Sequence, residues 1–146
     1  MFDTIVWATD GSENADRALE VAKTLAHDDG ASLVVVHVVQ HYATETGLAV
    51  YPDEERVRVK LEQIVQQLSE DGFRASLRIV DHVGPQPAHE IADIAREEGA
   101  DLVVMGTRGH GSIEGLLLGS VVLRLLHIAP CPVVAVPAVP SGHRQS

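Results

Sequence analysis

The sequence predicts an α/β domain, a single open parallel sheet of five strands with helices on both faces. Three observations predict it. Short β-branched apolar runs alternate with segments whose apolar residues recur at helical spacing. The run SLVVVHVV at Ser32–Val39 is apolar almost throughout, as a strand buried on both faces requires. The 146 residues suit one domain, and with 45% hydrophobic but only 3% aromatic residues its core has to be aliphatic.

The elements follow in order. Thr4–Ala8 is the first strand, and Asp10-Gly11-Ser12 ends it, with Ser12 as helix N-cap. Ala15, Ala18, Leu19, Ala22, Leu25 and Ala26 mark the buried face of the first helix, which stops at Gly30. Ser32–Val39 is the second strand. Residues 40–52 read as an irregular polar loop, the longest gap in the pattern, ending at Tyr51-Pro52. The second helix carries Val57, Leu61, Ile64, Val65 and Leu68 inward. Glu54, Glu55, Arg58 and Glu62 face outward, with Glu54 and Arg58 at pairing distance along the helix. Gly72 ends it.

Residues 75–80 form the third strand. Gly84-Pro85-Gln86-Pro87 is a rigid turn that puts Pro87 at the first position of a third helix, with Ile91, Ile94 and Ala95 inward and Gly99 as its stop. Residues 101–105 are the fourth strand. A glycine-rich stretch follows, then a helix over about 119–127, halted by Pro130 and Pro132, then the last strand, Val133–Val136. The domain is expected over 1–137, with a loose tail over 138–146.

Composition excludes several functions. Eleven basic against 21 acidic residues give a net charge of −10, unsuited to polymeric nucleic acid, where phosphate neutralisation supplies most of the affinity. The single Cys131, read as a small core residue, excludes an intrachain disulfide or a multi-cysteine metal site. The eight histidines show neither HxH nor HExxH spacing. The start Met1-Phe2-Asp3 lacks a basic, then apolar leader, and the apolar stretch 116–126 is broken by Gly119, Ser120 and Arg124. The expectation is a cytoplasmic protein with no membrane partner. Asp81 follows a strand as a phospho-acceptor would, but the only lysines, Lys23 and Lys60, lie on helices and none follows the last strand.

In open parallel sheets, ligands sit beyond the carboxyl ends of the strands. Two segments stand out there: Thr9-Asp10-Gly11-Ser12, and residues 106–120, GTRGHGSIEGLLLGS, with five glycines. Glycine lets successive N–H groups converge on an anion. Gly119-Ser120 then opens a helix whose N-terminus, worth about half a positive charge, favours phosphate. The stretch is not a Walker A loop, since Ser112 stands where lysine is needed. Gly109, Gly111 and Gly115 follow the wrong strand for a dinucleotide loop, and no acidic residue in 115–146 would hold a ribose.

Gly106-x-x-Gly109, nine residues, then Gly119-Ser120 resembles the G-2x-G-9x-G-[ST] signature of the ATP-binding universal stress proteins. Ala8 to Glu13, His37-Val38, Gly84-x-x-Pro87-Ala88, residues 101–107 and Pro130-Cys131-Pro132-Val133 resemble that family's flanking segments, so the similarity spans about 2–137. The resemblance implies a Rossmann-like, adenine nucleotide alpha hydrolase-like fold that binds ATP or another adenine nucleotide with Mg²⁺. It places Asp10 by the adenosine or the Mg²⁺ ion, Val38 against adenine through its backbone, and Ala8 in the base pocket. Met105 and Gly106 would flank the ribose, and Gly109, Gly119, Ser120 and Val121 would hold the phosphates. Arg108 and His110 would be further phosphate contacts. It also implies a homodimer through Val133, Val134, Ala135 and Val136, and a role as a nucleotide-dependent regulator. Two alternatives stay open, a slow Mg²⁺-dependent ATP hydrolase or phosphotransferase and a nucleotide-free interaction module. At single residues, Asp10 also reads as a turn residue, Ser120 as a plain N-cap and His37 as a satisfied core histidine.

Overall fold

The computed structural model describes residues 2–39, 41–81, 87–107 and 119–137. The roles expected of Arg108, Gly109 and His110, the turn at 84–86 and the tail 138–146 lie outside these residues. The elements are β1 (Thr4–Ala8), α1 (Glu13–Asp29), β2 (Ser32–Val39), β3 (His41–Thr44), β4 (Gly47–Val50), α2 (Glu54–Glu70), β5 (Arg74–Asp81), α3 (Pro87–Glu98), β6 (Leu102–Gly106), α4 (Ser120–Ile128) and β7 (Val133–Val136). The main sheet has the order β5-β2-β1-β6-β7, with every pair parallel.

Period-two alternation divides the sheet into two cores. Ile5, Trp7, Leu33, Val35, Leu102 and Val104 point toward α1 and α2. Val6, Ala8, Val34, Val36, Val38, Val103 and Met105 point toward α3 and α4. The small face of α1, with Ala15, Ala18, Ala22 and Ala26 buried, lets that helix lie close on the sheet. Ser12 caps α1 by accepting the Ala15 N–H, and Gly30 ends it with φ +65°, where a side chain would be strained.

In the stretch 40–52, expected as an irregular loop, the described residues 41–50 form regular structure instead. β3 and β4 form an antiparallel hairpin, with Thr44 opposite Gly47 and His41 opposite Val50. Thr44 Oγ1 holds the turn by donating to Gly47 O at 3.0 Å and accepting Thr46 N–H at 3.3 Å. The turn lacks the Asn-Gly or Asp-Gly pair that announces a two-residue hairpin. Its strands are largely exposed, so burial imposes no strict alternation on their sequence. His41 Nε2, 3.2 Å from Asp81 Oδ1, ties the hairpin to the end of β5.

Candidate functional site at the carboxyl end of β1

The sheet has a notch where β1 ends. β1 pairs with β2 as far as Ala8 opposite Val36, and with β6 only as far as Trp7 opposite Val104. Its neighbours run on, β2 to Val39 beside Asp81 and β6 to Gly106 beside Val136. The chain leaves β1 toward β2 on one side and leaves β6 toward β7 on the other, so strand order reverses here. Such a switch point opens a crevice in the sheet edge.

The predicted residues that the structure describes gather around this notch. Ala8, Val38 and Met105 are buried on the same sheet face, toward α3 and α4. Asp10 is half-buried just beyond β1, where its Oδ1 accepts the Ser12 N–H at 2.9 Å. The Asp10 turn is tightened further by Thr9 Oγ1, which accepts the Gly11 N–H at 3.0 Å. Opposite stands the N-terminus of α4. Gly119 is its N-cap, and the Gly119 N–H donates to Thr107 O at 2.7 Å. Thr107 N–H in turn donates to Val136 O at 3.0 Å. Both ends of the glycine-rich stretch are thereby pinned to the carboxyl end of β6.

This bond changes the donor set read from sequence. The Gly119 amide is spent on Thr107, so it is a tether. The amides of Ser120, Val121 and Val122 are the ones a helix leaves without an intrahelical partner. Ser120 is exposed and Val121 half-buried, and no side chain among the described residues caps this end. Val133, Val134 and Ala135 lie elsewhere, half-buried on the edge strand β7, with Val136 buried beside Gly106.

Three residues support the notch; the sequence anticipated the buried, satisfied His37 but not the contacts of Glu54 and Lys60. His37, 4% exposed, places Nδ1 2.9 Å from Thr9 O and Nε2 2.8 Å from Glu54 Oε2. A carbonyl only accepts, so Nδ1 carries the hydrogen toward Thr9 O, while Nε2 lies against the Glu54 carboxylate. His37 is thus the satisfied buried histidine of the plain reading, with both nitrogens engaged. Glu54 was expected to pair with Arg58; it turns inward instead, and Arg58 Nε sits 3.9 Å from Glu55 Oε1. Lys60 Nζ reaches Gly11 O at 2.9 Å and Asp16 Oδ2 at 2.8 Å. One face of α2, with Glu54, Val57 and Lys60 at three-residue spacing, therefore grips the segment carrying Asp10. The signal available in the sequence was the pair of charges three residues either side of Val57, bordering the apolar stripe.

The other buried or shifted groups lie outside the notch. Burial, then the Asp101 charge, pushes the Cys131 thiol up. Hydrogen bonds to Glu98 and then Glu97 raise the Arg78 guanidinium. No helix among the described residues is long and apolar enough to cross a membrane.

Comparison with known proteins identifies the family. A model of the universal stress protein family matches residues 1–137. The "universal stress protein in QAH/OAS sulfhydrylase 3'region" of Thermus aquaticus is 39% identical over 138 residues, 93% of this chain and 99% of its own length. The solved structure of MJ0577 from Methanocaldococcus jannaschii has a TM-score of 0.79 at 27% identity, covering 97% of this chain and 99% of that one. A universal stress protein solved in complex with cAMP has a TM-score of 0.70 at 26% identity, covering 94% and 99%. With nearly the whole chain matched in sequence and the same five-stranded parallel architecture in space, this chain belongs to the universal stress protein family.

Proposed function

We propose that the protein binds an adenine nucleotide, ATP with Mg²⁺, in the crevice beyond β1 and acts as a nucleotide-dependent regulator of a stress response. One observation carries the reading. The early end of β1 leaves the backbone of Val38 facing a notch, and the Gly119–Thr107 bond holds a helix N-terminus on the opposite wall. A base and a chain of phosphates need those two surfaces in one site. The relative solved with cAMP supports an adenine nucleotide as the ligand class.

Asp10 fits Mg²⁺ in one specific way. Among the described residues, no group of three or more His, Cys, Asp or Glu could form a protein cage for a metal. Mg²⁺ is commonly held by one or two carboxylates, waters and substrate phosphates, and a single half-buried Asp10 suits that arrangement. The ion would neutralise phosphate charge in a chain whose net charge is −10.

Binding without rapid turnover is the better reading. His37 has both ring nitrogens engaged, Lys60 is held by Gly11 and Asp16, and Lys23 lies 3.8 Å from Glu20. Neither lysine of the chain is free to act on a phosphoryl group. The same reading takes residues 1–137 as the nucleotide-binding domain, in the cytoplasm. It pairs two copies through Val133, Val134, Ala135 and Val136, since among the described residues β7 is an edge strand with β6 as its one neighbour.

Calorimetric titration with ATP and Mg²⁺ tests the proposal. Saturable binding is expected, weakened at least tenfold in Gly119→Val, whose branched side chain crowds the phosphate approach. No heat from wild-type protein, and no nucleotide in gently purified protein by mass spectrometry, would overturn it.

A further inference from the structure

His37 takes a hydrogen bond that the sheet would otherwise make. Along β2, alternate residues turn their backbone groups toward β1. Ser32 N–H donates to Asp3 O at 2.9 Å, and Val36 O accepts Thr9 N–H at 2.9 Å. The next rung of a parallel ladder would run from Val38 N–H to Thr9 O. That carbonyl accepts His37 Nδ1–H instead, at 2.9 Å. On its other side β2 stays paired with β5 through Val38 opposite Val80 and Val39 opposite Asp81, so Val38 remains extended and rigid. Its N–H and C=O on the crevice side have no partner among the described residues.

A backbone donor and acceptor left side by side at a nearly buried position call for a ligand that supplies both partners. Adenine does so, because its ring N1 accepts and its 6-amino group donates. Hypoxanthine and guanine present the reverse, an N1–H donor and an O6 acceptor. The other residues of β2 on His37's face, Leu33, Val35 and Val39, are apolar and buried. A further apolar residue at 37 would fill that layer, but it would leave Thr9 O for Val38.

We propose that His37 is the residue that sets the base selectivity of the crevice. It holds Thr9 O away from Val38, so that the Val38 N–H stays free to read the adenine ring, and Glu54 fixes the imidazole in that position. His37 is a positioning residue, since it does not itself touch the nucleotide. This inference rests on the adenine-nucleotide reading above.

The test compares wild type, His37→Asn and His37→Leu, each titrated with the Mg²⁺ complexes of ATP, ITP and inorganic tripolyphosphate. Wild type is expected to prefer ATP over ITP by at least tenfold. His37→Asn keeps an N–H donor near the Nδ1 position and retains most of that preference. His37→Leu releases Thr9 O to Val38, and the ATP-to-ITP ratio falls about tenfold, the worth of roughly one hydrogen bond, with tripolyphosphate affinity unchanged. A folded His37→Leu with an undiminished ratio overturns the role of His37 alone, as does an equal loss of tripolyphosphate and ATP binding. A wild type that binds neither nucleotide overturns the adenine-nucleotide reading and this inference together. Amide exchange on wild type serves if His37→Leu does not fold. The Val38 amide should exchange readily without nucleotide and be protected by ATP, and protection already present in the free protein overturns the proposal.

Discussion

Lys60 Nζ lies 2.9 Å from the carbonyl oxygen of Gly11, 49 positions away in sequence, and joins the middle of α2 to the turn that carries Asp10. The same ammonium is 2.8 Å from Asp16 Oδ2, and both side chains are about a third exposed. Asp16 Oδ1 is buried with no hydrogen-bond partner among the described residues, so Lys60 supplies this carboxylate's principal contact. Lys60→Met keeps the aliphatic stem and removes the donor. It should cost about 1–2 kcal/mol, seen as a lower urea midpoint with an unchanged slope. An unchanged midpoint would show that solvent already screens the contact.

Gly11 is constrained twice over. Its φ is +85°, and a Cβ there would stand 2.8 Å from both γ carbons of Val57. Gly11→Ala is expected to destabilise by roughly 1–3 kcal/mol through backbone strain and the clash. Val57→Ala opens space for the new methyl, so the double variant should lose less than the sum of the two single losses. Strict additivity in denaturant titrations would show that Val57 does not press on the turn.

Trp7, the one tryptophan, is fully buried, and its Nε1–H donates to Ala15 O at 3.0 Å. It links β1 to the first turn of α1. Trp7→Phe removes the donor and part of the ring volume at a cost on the order of 1–3 kcal/mol. Thermal unfolding followed by circular dichroism would measure it, and an unchanged midpoint would show that the core closes around the smaller ring.

Asp101 fastens the amino end of the sheet. Its Oδ2 accepts the Asp3 N–H at 2.7 Å and the Thr4 N–H at 3.1 Å. These bonds, Asp3's first, hold its carboxyl below the usual aspartate range. The folded pKa is therefore below the unfolded value of about 3.9. The resulting stabilisation is fully present above that value and is lost as pH falls through the folded pKa. The stability gap between wild type and Asp101→Asn should be widest at neutral pH and shrink below about pH 4. A gap that stays constant down to pH 2.5 would refute the linkage.

The central strands of the main sheet, β1, β2 and β6, were legible because they are buried. Ser32–Val39 has to be apolar, and Thr4–Ala8 and Val133–Val136 appear in the sequence with the boundaries they have in space. The β3–β4 hairpin was not legible, since Leu48, Val50 and Tyr51 are exposed and burial imposes no alternation on it. The glycine signature pointed to the carboxyl end of β6, where Gly119 and Thr107 meet. It did not disclose that the Gly119 amide would be committed to Thr107.

By itself the sequence determined the order of strands and helices, the aliphatic core and the two segments at the strand ends, because these follow from local hydrophobic period and turn chemistry. Only the tertiary structure decided that β1 would stop short of β2 and β6. It alone turned Glu54 toward His37, brought Lys60 to Gly11 and diverted Thr9 O from Val38. Those hydrogen bonds join residues 17 to 49 positions apart. They depend on strand register and helix placement, which no local pattern encodes.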